Sequence, residues 1–80
     1  MIQQILETKE VVKYLQARDL VDRYKKVKNH ILAGHVSGAQ LRKRKPTTDD
    51  IWYFRINKKY RAFAYLDNIT LKVFHIDDHQ

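Results

Sequence analysis

Between residues 51 and 66, apolar and polar side chains alternate in two runs, Ile51 to Ile56 and Tyr60 to Leu66, on either side of Asn57, Lys58 and Lys59. A period of two predicts the strands of a hairpin. With Asn57 to Lys59 as the loop, Ile56 pairs with Tyr60 and Arg55 lies directly opposite Arg61. Trp52, Phe54, Ile56, Tyr60, Ala62, Ala64 and Leu66 then share one face, suited to packing against helices. Tyr53, Arg55, Arg61, Phe63 and Tyr65 share the other. Asp67 and Asn68 both tolerate positive φ and predict a two-residue turn into a third strand over Leu71 to Ile76. In that register Lys72 and Phe74 fall beside Phe63 and Arg61, and His75 takes the helix-facing parity near Tyr60.

The first half of the chain has a helical period. Ile2, Ile5 and Leu6 fit either a short first strand or an extension of the helix that follows. Thr8 can N-cap a helix through about Gln16, with Val11, Val12 and Leu15 on its inner side. Asp19 is a second N-cap candidate, and Leu20, Tyr24, Val27 and Ile31 form one stripe of an amphipathic helix that Gly34 can stop. Arg23, Lys25, Lys26 and Lys28 lie off that stripe. From His35 to Asp50 the pattern is irregular, with breaks at Ser37 and Gly38. Pro46 disfavours helix at Lys45, so Arg42, Lys43, Arg44 and Lys45 belong to an extended edge or loop. The expected fold is α+β, a single domain over residues 1–80, with two N-terminal helices packed on an antiparallel sheet of three or four strands.

Composition narrows the function classes. Eighty residues with 44% hydrophobic content, one Trp, five Tyr and three Phe suit a small globular core rather than disorder. The sequence has no cysteine, hence no disulfide and no thiolate nucleophile, and a reducing cytoplasm is the expected location. Residues 1–10 show no basic stretch followed by an apolar run, so no signal peptide is expected. No apolar stretch approaches the ~20 residues that span a bilayer. Sixteen Lys and Arg against nine Asp and Glu give a net charge of +7, which favours a polyanionic partner.

The opposed arginines sharpen that preference. Like charges facing each other across a ladder are destabilising by up to ~1 kcal/mol, and an anion between them removes the conflict. Planar guanidinium forks suit phosphate. Tyr53, Phe63, Arg55, Arg61 and Lys72 on one face interleave rings with cations, which is what a single-stranded nucleic acid needs: platforms for bases and charges for phosphates. The alternative is a partly buried second face that a partner protein covers. His75 fits a packed, hydrogen-bonded core residue, His79 is either catalytic or inert, and His30 and His35 flank a helix end and complement its dipole.

Three stretches together, Ile51 to Ile56, then Tyr60-Arg61, then Leu71 to Ile76, resemble the RelE/ParE superfamily of bacterial toxin–antitoxin toxins. The α-α-β-β-β order fits, so the likeness covers most of the chain, best over residues 41–80. The ending Ile76, Asp77, Asp78, His79, Gln80 looks most like the HigB branch, whose chains finish with an Asp-Tyr-His-like tail. The resemblance implies a ribosome-dependent endoribonuclease that cuts mRNA and halts translation, without metal or other cofactor. Its expected partners are a cognate antitoxin protein and mRNA on the ribosome, with no membrane involved and a monomeric free toxin. A general base takes the ribose 2′-OH proton, cations hold the phosphoryl oxygens, and a general acid protonates the leaving 5′-oxygen.

The resemblance also assigns residues. The Arg of the family's Tyr-Arg pair falls on Arg61 and the basic residue before the turn on Arg55, both as phosphate clamps. A Lys ahead of the Trp-containing strand falls on Lys45. The His before that Lys falls on Arg42, which can bind phosphate but cannot act as a base. The family's terminal Asp falls on Asp78, its Tyr on His79 and its last His on Gln80. His79, titrating near neutrality as imidazoles do, can stand in for the Tyr in proton transfer. RNA contacts are expected from Arg42, Lys43, Arg44, Tyr53, Phe63 and Lys72. ParE members act on DNA gyrase instead, so a gyrase inhibitor or a non-catalytic binding module of the same fold remains the alternative.

Overall fold

The computed structural model describes residues 2–35, 41–45 and 47–78. It is α+β: strand β1 (Gln4–Glu7), helix α1 (Lys9–Ala17), helix α2 (Val21–Leu32), strand β2 (Arg42–Lys43), a short 3-10 turn (Thr47–Asp49), then β3 (Ile51–Arg55), β4 (Tyr60–Asp67) and β5 (Thr70–Asp78). The five strands form one sheet in the order β1-β5-β4-β3-β2. This corrects the expected antiparallel sheet of three or four strands. Ile5 and Leu6 lie in β1, with Ile2 just ahead of it, and not in a helix extension, so the two helices follow β1 instead of opening the chain. Because β1 lies parallel to β5, with Ile5 beside Leu71, the sheet is mixed. A parallel neighbour needs a crossover connection, and the helical hairpin begins it.

Both helices form where local chemistry favours them. The Thr8 hydroxyl accepts the Val11 N–H at 3.2 Å, capping α1 as its position predicts. Asp19, expected to cap α2, instead ends α1. It takes the left-handed conformation at φ 55, its N–H reaches the Gln16 carbonyl, and the Leu20 N–H reaches the Leu15 carbonyl at 2.8 Å. That is a Schellman ending, with Asp19 where glycine is usual and Leu20 packed with Leu15 in the core. Leu20 becomes the N-terminal flank of α2, without a side-chain cap. The far end of α2 repeats the motif around Gly34 at φ 91, with the His35 N–H on the His30 carbonyl.

The core lies between the helices and one face of the sheet. Val11 and Leu15 of α1 and the stripe Leu20, Tyr24, Val27 and Ile31 meet Ile5, Phe54, Ile56, Ala62, Ala64, Leu71, Val73 and Ile76. Ala62 and Ala64, both at 0% exposure, leave room for the helices to approach the centre of the sheet. Two polar ties fix α2. Arg23 Nε donates to the Ile56 carbonyl at 2.9 Å. Glu7 accepts from the Tyr24 hydroxyl and from Lys28 Nζ, each at 2.9 Å. Burial, then the charge of Glu7 and the bond donated to it, hold the Tyr24 hydroxyl well above the ordinary tyrosine range. Among the described residues no helix is long and apolar enough to cross a membrane.

Candidate nucleic-acid interface

The first hairpin has the register its alternation predicts. Arg55 is directly opposite Arg61, and the Ile56 N–H meets the Tyr60 carbonyl at 2.9 Å. Asn57 holds the turn, its Oδ1 accepting the N–H groups of Lys59 and Tyr60 at 2.8 and 2.9 Å. Phe54 and Ile56 are fully buried under the helices, so Tyr53, Arg55, Arg61 and Phe63 face outward.

The second hairpin departs from expectation twice. Its turn centres on Asn68, at φ 57, and Ile69, because Asp67 stays in the ladder opposite Thr70. Past Val73, a β-bulge at Phe63/Ala64 inserts one extra residue in β5. A bulge reverses which side each following residue faces. His75 therefore leaves the helix side, lies opposite Phe63, and is exposed. Ile76 takes the core position instead. Asp77, not Phe74, lies opposite Arg61. Phe74, the bulged residue, stacks on Tyr65 with ring centroids 4.6 Å apart.

Two rows of side chains now cross the outer face. In one, Arg42 lies opposite Tyr53, Tyr53 opposite Phe63, and Phe63 opposite His75. The rings follow each other at 5.9 Å and 6.1 Å. In the other, Arg61 sits between Arg55 and Asp77. The Arg61 guanidinium lies 5.3 Å from the Tyr53 ring centre and that of Arg44 lies 5.8 Å from Phe63, so the cations sit over the rings. Arg42, Lys43, Arg44, Lys45, Tyr53, Arg61 and Phe63 line an open cleft of about 510 Å³.

Several of the expected contacts are already engaged in ion pairs. Lys43 stands opposite Trp52, on the helix side, with its ammonium 2.8 Å from Asp50. Arg44 is 3.5 Å from Asp49. Lys72 shares the outer face but pairs with Asp67 at 3.2 Å, and four strand positions, about 13 Å, separate its cross-strand partner Tyr65 from Arg61. Asp78 lies opposite Tyr60, one residue past Asp77 and hence on the other face, 3.7 Å from Lys59. His79 lies outside the described residues. Among the described residues, Arg42, Lys45, Arg55 and Arg61 have no carboxylate within 4.0 Å.

His75 and Asp77 reach the outer face, opposite the cleft residues Phe63 and Arg61, only because of the bulge. One signal for it does stand in the sequence: the apolar positions Leu71, Val73 and Ile76 break the period of two after Val73. No three His, Asp or Glu side chains come together among the described residues in a way that could hold a metal ion. The arrangement can bind a strand of phosphodiesters along the arginines and receive unstacked bases on the rings. No protein-family model matches the chain, and no curated protein matches it as a relative.

Proposed function

We propose that this chain is a RelE-like toxin that cuts mRNA on the ribosome in the cytoplasm, and that the outer-face cleft holds the RNA backbone. One observation carries the reading: Arg55 and Arg61 face each other across the ladder, neither within 4.0 Å of a carboxylate among the described residues, beside the Tyr53 and Phe63 rings. Two opposed cations on a face that also carries aromatic rings suit a polyanion with flat bases. The helix pair followed by antiparallel strands is also the order that the resemblance to RelE/ParE toxins implies.

In this reading Arg61 and Arg55 clamp the scissile phosphate and stabilise charge on its non-bridging oxygens as the 2′-oxygen attacks. Arg42 and Lys45 hold the neighbouring phosphates. The antitoxin neutralises the protein by laying an acidic or apolar segment over the same cleft. Inducing the wild-type chain in bacteria should arrest growth and leave transcripts with new 5′ ends inside coding regions. Arg61→Ala should abolish both effects while keeping the fold. Full toxicity of Arg61→Ala would sink the reading. An SOS response with filamentation and intact transcripts would point to gyrase as the target.

A further inference from the structure

The two arginines can hold a phosphate but cannot move a proton, since guanidinium stays charged at any pH the cell reaches. Of the residues expected to supply proton transfer, Asp78 lies on the opposite side of β5, paired with Lys59, and His79 lies outside the described residues. An imidazole is nevertheless present. The bulge at Phe63/Ala64 carries His75 from the core side to the outer face, where it is exposed and lies opposite Phe63. Its ring is the last of the row Tyr53, Phe63, His75, with 6.1 Å between the final two centroids. Arg61 is its diagonal neighbour across the β4–β5 ladder, a separation of about 7–8 Å between backbone positions. The Arg61 guanidinium lies by Tyr53, and at that backbone spacing one phosphodiester on the outer face can reach both it and the imidazole.

We propose that His75 is the general base of the RNA-cleaving site, an inference that rests on the function proposed above. The imidazole takes the proton from the ribose 2′-OH as the O2′–P bond forms. The P–O5′ bond breaks, Arg61 and Arg55 hold the non-bridging oxygens, and the imidazolium or water returns one proton to the leaving O5′. The products are a 2′,3′-cyclic phosphate and a 5′-hydroxyl, so one proton leaves and one arrives and no further reactant is consumed. An ordinary aromatic would continue the ring row equally well, so stacking alone does not call for histidine at this position.

Two substitutions separate the roles. His75→Phe keeps a flat ring and His75→Gln keeps polarity, and neither can act as a base; both replace an exposed side chain, so the fold should hold. Cleavage is measured on labelled mRNA in a reconstituted translation mixture, and binding by anisotropy of a short fluorescein-labelled single-stranded RNA. His75→Phe should bind the RNA within about threefold of wild type and His75→Gln more weakly but measurably, and both should cleave bound RNA about 10²–10⁴-fold more slowly. Cleavage by His75→Phe or His75→Gln within tenfold of wild type overturns the role of His75, and the proposed function stands if Arg61→Ala is still inactive. Loss of RNA binding in both variants also overturns it, making His75 a binding residue. Failure of the wild-type protein to cleave removes the proposed function and this inference together.

Discussion

Arg55 and Arg61 oppose each other at the turn end of the β3–β4 ladder, and the sheet tolerates the repulsion. Removing one of the charges should therefore make the fold better and the interface worse. Arg55 is exposed and has no ion pair among the described residues, so Arg55→Ala is expected to raise stability by a few tenths and up to ~1 kcal/mol in urea unfolding. The same variant should bind single-stranded RNA more weakly; loss of stability with unchanged binding would mean the pair serves structure. Tyr24 is the opposite case, a polar group kept in the core by a partner. Its hydroxyl donates to Glu7 and its pKa is raised, chiefly by burial. The unfolded chain gives up this proton near pH 10 while the native protein keeps it, so the contribution is complete below about pH 10 and fades as pH rises beyond it. Tyr24→Phe should cost about 1–2 kcal/mol at pH 7 through the lost bond to a carboxylate. Thermal melts from pH 8 to 11 should show a flatter loss in the variant than in the wild type.

The hairpin of β3 and β4 is the element that sets the arginine pair, and its turn depends on one side chain. Asn57 Oδ1 accepts two backbone N–H groups, so Asn57→Ala should cost about 1–2 kcal/mol and weaken RNA binding as the opposition of Arg55 and Arg61 loosens. Denaturant unfolding together with RNA anisotropy checks both. This hairpin was readable from residue order because a period of two and a short polar loop leave one register that buries Phe54 and Ile56. The second hairpin was only partly readable. Its existence follows from the alternation, but the shift of the turn to Asn68 and Ile69, and the extra residue near Phe74, depend on how β5 fits between β1 and β4. The helices divide in the same way. Thr8 caps where its hydroxyl predicts, whereas Asp19, which residue order marks as a helix start, ends α1. The Schellman contact of Leu20 with Leu15, buried in the common core, chose the end.

For the molecule as a whole, what matters is where the charge of +7 sits. Arg42, Arg44, Lys45, Arg55 and Arg61 gather around one ringed face, Arg44 in a 3.5 Å pair with Asp49, while Lys28, Lys43, Lys59 and Lys72 are occupied by carboxylates. Binding to single-stranded RNA should weaken steeply with salt, and Arg61→Ala should reduce the log–log slope by about 0.7, the share of one phosphate contact. An unchanged slope would place the RNA elsewhere on the surface. Residue order alone settles the α+β class, the two helices, the hairpin with its opposed arginines, and the split of that hairpin into an apolar and a basic aromatic face. These follow from local periodicity and capping, which act over a few residues. Only the assembled sheet puts β1 parallel to β5, moves Asp78 away from the arginines, and turns His75 and Asp77 toward them. A strand's partners and a single inserted residue govern those outcomes, and in a period of two one residue is enough to change the face of everything after it.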